Sequence, residues 1–218
     1  MESASPPEGP VTKVNIGRLT NAIFAFVLLL LFKNVRIPSF SDYLAGSVNT
    51  GEFGYMQLPD IFSFLNAFLI IAMIWVITFH LFHQLVRVDR MYLYLHLAMM
   101  MMVIFIPVSS HMNVMFPGRS IFPVLFHANM LAAGMLLAFL WWHISSEPSI
   151  RRPGIGRVQL ECTTMKVLYL PATAVAGMFL ANLDLGHTQG IYLATMLAFV
   201  LTTLYSRKRE RFDREAGR

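Results

Sequence analysis

The groups in this chain best able to do chemistry are histidines and a few polar side chains set inside long apolar stretches. His80 and His83 stand three apart and share one helical face. His96 lies in the next apolar block, and His127 and Asn129 lie in the one after it. Two histidines at this spacing could ligate a metal, but no carboxylate or cysteine completes a set at matching spacing. Cys162 is the single cysteine, so neither an intrachain disulfide nor a thiolate cage can be built. Haem needs inward-facing histidine pairs at similar depth, and only His96 and His127 sit well inside apolar blocks. The reading is therefore of no cofactor, no metal and no enzyme. What these residues can do is bond helices to one another. Arg18, Thr20 and Asn21, early in the first apolar block, could join His80, His83 and His96 in a buried polar network. Helix capping and snorkelling are the plainer alternative for the first three. The run Met99 to Met102 reads as adaptable packing.

The elements that must position these groups are transmembrane helices. Of 218 residues 56% are hydrophobic and only 13% charged, with a mean hydropathy of +0.58. Soluble domains are about a quarter charged, and a soluble fold of this size could not hide so much apolar surface. Six blocks can cross a hydrocarbon core about 30 Å thick: from near Asn15 to Val35, Asp60 to Val86, Met91 to Ser110, Ser120 to Ile144, Met165 to Leu183 and Thr188 to Tyr205. The expected organisation is an N-terminal disordered tail over 1–14, four helices over 15–144, a Pro- and Gly-bearing cytoplasmic loop over 145–164, two helices over 165–205 and a basic tail over 206–218. The segment Arg36 to Pro59, rich in Ser, Gly, Asn and Asp, is expected to be an external surface loop.

Orientation follows from the basic residues. With the N-terminus inside, 14 of the 17 fall on the cytoplasmic side: Lys13, Arg18, Arg87, Arg90, Arg151, Arg152, Arg157, Lys166 and six in the tail. By the positive-inside rule both termini are cytoplasmic. The basic character thus belongs to topology and anionic headgroups, not to nucleic acid.

The stretch Trp75-Val-Ile-Thr-Phe-His80-Leu-Phe-His83-Gln-Leu-Val-Arg-Val-Asp89 resembles the second-helix signature of the transmembrane protein 175 family, the lysosomal-type potassium channels and their prokaryotic relatives. The resemblance continues through Leu93, His96, Pro107, Asn129 and Trp142. The run Ala22-Ile-Phe-Ala-Phe-Val-Leu-Leu-Leu-Leu, followed by Val35-Arg-Ile-Pro38, is similar to the family's pore helix. It implies an all-α polytopic membrane protein of about six helices, in a prokaryotic plasma membrane. It further implies a homotetramer whose first helices line a potassium pathway, with hydrophobic rings in place of a carbonyl filter. The family's mark at the helix start is Arg, three residues, then Phe-Ser-Asp. Here the aligned positions are Asn15 and Leu19-Thr20-Asn21, which keep hydrogen-bonding capacity but lack the carboxylate. A literal Phe40-Ser41-Asp42 falls in the expected external loop and precedes no apolar run.

Carried along the helix, the resemblance assigns Ala22, Phe26, Leu29, Leu30 and Lys33 to the pore, with Phe26 at the family's isoleucine ring. Helical spacing puts Phe26, Leu30 and Lys33 on one stripe. Four phenylalanines at a constriction close it by dewetting unless the rings swing aside. Four lysines near the outer mouth repel potassium, by about 4 kcal/mol for unit charges about 4 Å apart at an effective dielectric of about 20, less screening and snorkelling. Two functions stay open: a potassium-permeable cation channel in the bilayer, or a non-conducting channel-like subunit of a larger membrane complex.

Overall fold

A computed structural model describes residues 12–33, 50–116, 121–183 and 188–216. They form α1 (Lys13–Phe32), α2 (Thr50–Gln84), α3 (Arg90–Met115), α4 (Ile121–Ser146), α5 (Arg157–Asn182), a one-turn 3-10 helix (Thr188–Gly190) and α6 (Ile191–Ala216). The described residues hold six helices long and apolar enough to cross a membrane. The protein is an all-helical, polytopic membrane protein.

Local chemistry fixes several of the starts. Thr12 precedes α1 in an extended conformation and accepts the Asn15 amide at 3.3 Å. Asp89 does the same for α3, accepting the Tyr92 amide at 2.8 Å, while its second oxygen meets His143 Nε2 at 2.7 Å. One carboxylate thereby starts α3 and ties it to the end of α4. The loop after α4 clasps the end of α2: Val86 N–H donates to Ile150 O at 2.8 Å, and Arg152 N–H to Gln84 O at 2.7 Å. The second bond satisfies a carbonyl that the helix end would otherwise leave unpaired.

α2 runs through the middle. Its Ile70, Ile71, Ile74, Ile77 and Leu81 are fully buried, together with Met99, Val103 and Ile106 of α3, Phe126, Met130 and Leu137 of α4, and Leu170 of α5. Every helix also carries large apolar residues outward, such as Phe105, Phe139, Phe179 and Leu197. In lipid that is a solvated surface. Met99 and Met100 are buried core, whereas Met101 faces outward, so the methionine run follows helical geometry.

Several boundaries differ from the sequence expectation. α2 begins at Thr50, not near Asp60, so residues 50–59 of the expected external loop are helical. Each further residue costs little once a long apolar helix has nucleated. α5 begins at Arg157 and not at Met165, which shortens the loop between α4 and α5. α6 continues to Ala216, through the expected basic tail. α1 begins at Lys13, within the expected disordered tail, and ends at Phe32 rather than near Val35. The rest of that tail, most of the external loop and the Phe40-Ser41-Asp42 match lie outside the described residues.

Candidate ion pathway and its polar supports

The first helix has two contrasting faces. Ile16, Thr20, Phe24, Val27 and Leu31 recur at helical spacing and are buried against α2 and α3. Ala22, Phe26, Leu29 and Lys33 recur at the same spacing on the far side and are exposed, Phe26 at 55% and Leu29 at 72%. Leu30 sits half-buried at the edge of that face. The open stripe therefore runs Ala22, Phe26, Leu29, Lys33, with Leu30 beside it.

Three polar ties seat α1, all in its first half. Lys13 Nζ donates to Leu85 O at 2.7 Å, placing a cation at the negative end of α2. Thr20 Oγ1 donates to Ile16 O at 2.8 Å and meets His96 Nε2 at 2.7 Å. A hydroxyl has one proton to give, so here His96 Nε2–H must be the donor and its Nδ1 carries the lone pair. That Nδ1 is buried without a partner. Trp75 Nε1–H donates to Asn21 Oδ1 at 3.1 Å. Thr20 and Asn21, the residues aligned with the family's Ser-Asp, are thus the ones that bond α1 to α3 and α2. The second half of α1 is seated by apolar side chains, with Phe32 edge-on to Phe64 at 6.3 Å between ring centres.

The six residues expected in one network are divided by the fold. Thr20 and His96 meet, and Asn21 is held next to them by Trp75. Arg18 is exposed. His80 and His83 take no part in that bonding. Trp75, Phe79 and His83 form a ring ladder along α2, at 5.7 and 4.4 Å between centres, with His83 exposed. His80 turns toward α5 and α6, where it borders a cavity with Lys166 and Arg207. Sequence reasoning gave Trp75 no role beyond the signature, although its i, i+4, i+8 spacing with Phe79 and His83 was visible.

The opposite side of the bundle holds a second polar cluster. His127 is fully buried, its Nδ1 at 3.0 Å from Tyr192 OH and its Nε2 at 2.9 Å from Thr188 Oγ1. Nearby, Ser63 bonds Ser110 at 3.1 Å and Gln189 at 3.2 Å, and Asn66 Nδ2 donates to Gln189 O at 2.8 Å. Asn129 donates to Met102 O at 3.3 Å and to Ser109 Oγ at 3.4 Å. Among the described residues no three metal-ligating side chains converge.

Comparison with known proteins places this arrangement. Residues 15–107 match the family model described as "Endosomal/lysosomal potassium channel TMEM175". A potassium channel of Streptomyces collinus is 22% identical over 151 residues, which span 67% of this chain and 71% of that protein. The structure of a lysosomal potassium-selective channel TMEM175 homologue from Chamaesiphon minutus superposes with a TM-score of 0.71 at 18% identity, over 89% of this chain and 97% of that one. A variant of the potassium channel MtTMEM175, in complex with a nanobody fusion, gives 0.56 at 13% identity over 92% and 93%. The matched segment includes the aligned helix start, the Trp75 to Asp89 signature and His96, and the chain shares its fold with these two TMEM175 structures.

Proposed function

We propose that the chain is one subunit of a potassium-permeable cation channel, with copies arranged so that their α1 helices surround a common path. Ala22, Phe26, Leu29, Leu30 and Lys33 line that path. One observation carries the reading: α1 turns Thr20 and Asn21 to its own subunit and leaves the stripe aligned with the family's pore uncovered. The four-fold assembly, the cytoplasmic termini and the prokaryotic plasma membrane belong to the same proposal. They are supported by the resemblance and by the placement of the basic residues.

Such a path is governed by wetting. Among the described residues of α1 no carboxylate faces it, so a cation passes only when the ring of Phe26 side chains opens far enough to admit water. Lys33, at the end of α1, sets an electrostatic barrier that salt reduces. Potassium flux into liposomes carrying purified protein tests the proposal. Wild-type protein should conduct weakly, and Phe26→Ile combined with Lys33→Leu should raise the flux several-fold. Intact oligomers that conduct in neither form would overturn it.

A second reading, a channel-like subunit that does not conduct, is favoured by the same two residues, Phe26 and Lys33. It predicts that only the double variant conducts and that the native protein purifies in fixed stoichiometry with a larger membrane complex.

A further inference from the structure

Five buried side-chain atoms have no hydrogen-bond partner among the described residues: Asn66 Oδ1, Gln84 Oε1, the Tyr92 hydroxyl, His96 Nδ1 and Gln189 Nε2. Leaving such a group unpaired is costly, above all in a bilayer, where no bulk water reaches it. Two of the five stand in one stack on α3. Tyr92 and His96 are one turn apart, 0% and 1% exposed, with ring centres 5.6 Å apart and planes 12° from parallel. Phe82 of α2 meets both rings edge-on, at 5.9 and 5.2 Å between centres.

The bonding around His96 says what each atom lacks. Thr20 gives its one proton to Ile16 O and receives the Nε2–H of His96, so the neutral ring presents a lone pair at Nδ1. Tyr92 has a proton to donate. One atom needs a donor and the other an acceptor, yet they do not bond each other. The lone pair and the O–H each lie in the plane of their own ring, and the two planes are stacked as layers. A cation would satisfy only the lone pair, and an anion only the hydroxyl. A group that accepts from one and donates to the other satisfies both, and behind two fully buried rings it has to be small. Water fits that description. The other matched pair, Asn66 Oδ1 and Gln189 Nε2, carries no such assignment, because turning either amide over exchanges donor for acceptor.

We infer that one water molecule is held between Tyr92 and His96, accepting the tyrosine O–H and donating to His96 Nδ1. The bonds then run in one direction: Tyr92 to water, water to Nδ1, Nε2–H to Thr20, and Thr20 to Ile16 O. The water keeps the histidine proton on Nε2, the nitrogen that faces α1, and so forms part of the seat of that helix. Both residues lie in the first two turns of α3, just after the capping Asp89. That places the site near a membrane boundary, where water is at hand.

A crystal or electron-microscopy map of the full chain, sharp enough to show ordered water, tests this directly. One peak should lie within hydrogen-bond distance of both the Tyr92 hydroxyl and His96 Nδ1. Well-ordered rings with no peak, or with a peak touching only one of the two, would overturn the proposal. Thermal unfolding in detergent supplies an independent sign. Tyr92→Phe removes the hydroxyl and keeps the stacked ring. With water holding the hydroxyl, Tm should fall by about 3 °C. A hydroxyl buried with no partner burdens the native state, so in that case its removal leaves Tm unchanged or raises it, and either result overturns the proposal. Tyr94→Phe, at a side chain 66% exposed, should leave Tm where it is, and an equal fall in the two variants would count against a water held at Tyr92.

Discussion

α4 and α5 meet in a different manner from α1 and its neighbours. Between α4 and α5 the backbones come so close that side chains are excluded at two points. A Cβ on Gly134 would stand 2.7 Å from Pro171 Cδ and 2.8 Å from its nitrogen. A Cβ on Gly177 would collide with the His127 ring. α1, by contrast, rests on α2 and α3 through a single apolar stripe and three polar ties confined to positions 13, 20 and 21. In a bilayer apolar surface gains little by leaving lipid for protein, so association depends on close packing and hydrogen bonds. Glycines that admit a neighbour's ring or backbone make the scaffold, and the helix proposed to line the path is the one seated most lightly. The contrast can be broken from either side.

The largest effect is expected at the tight contact. Gly177→Leu must displace the His127 ring and with it the bonds to Tyr192 and Thr188, at a cost of about 3 kcal/mol. Tm in detergent should fall by about 10 °C. Adding His127→Ala should recover part of the loss, because the two positions share one space. If Gly177→Leu unfolds no earlier than the native chain, α4 and α5 are not packed as described. Gly134→Ala should cost about 2 kcal/mol, since the Pro171 ring it meets cannot rotate away.

A smaller change is expected where α1 is tied down. Thr20→Val keeps the shape and removes the acceptor of the His96 Nε2–H, leaving a buried donor unpaired. The expected loss is about 1 kcal/mol, near the usual value for an interhelical bond in lipid. Thr20→Ser should restore most of it. Equal Tm values for the Val and Ser variants would show that the hydroxyl contributes nothing to seating α1.

How much of this could be read from the sequence depends on the range of the interaction. Blocks of apolar residues as long as Ala22 to Phe32 have one outcome in a bilayer, so the six helices were legible. Their ends were harder to read where composition and propagation disagree. Gly51, Gly54 and Pro59 look like a loop, yet the helix runs through them. Within the site, the periodicity of α1 separates Thr20 from Phe26, and the structure places them on opposite faces. Which histidine meets Thr20 was not legible, because His80, His83 and His96 are alike in local setting and differ only in the direction their helices turn them. His96 is turned to α1, and His80 to α5 and α6. The packing of Gly134 and Gly177 was also hidden, since a glycine inside an apolar helix carries no mark of which neighbour it admits.

The smallest stability change, and the most telling one for function, is expected at Phe26. Its ring is 55% exposed in the subunit and has no place in the buried core, so Phe26→Ala should change the stability by no more than about 0.5 kcal/mol. If copies of α1 share a path, the same substitution widens its narrowest apolar ring and lowers the dewetting barrier, and potassium flux into liposomes should rise several-fold. Phe24→Ala, two positions away on the buried face, should do the reverse: it opens a cavity costing about 3 kcal/mol and leaves the flux per folded channel unchanged. The pair separates a pore face from a packing face on one helix. A flux that follows Phe24 and ignores Phe26 would mean that the exposed stripe of α1 looks onto lipid.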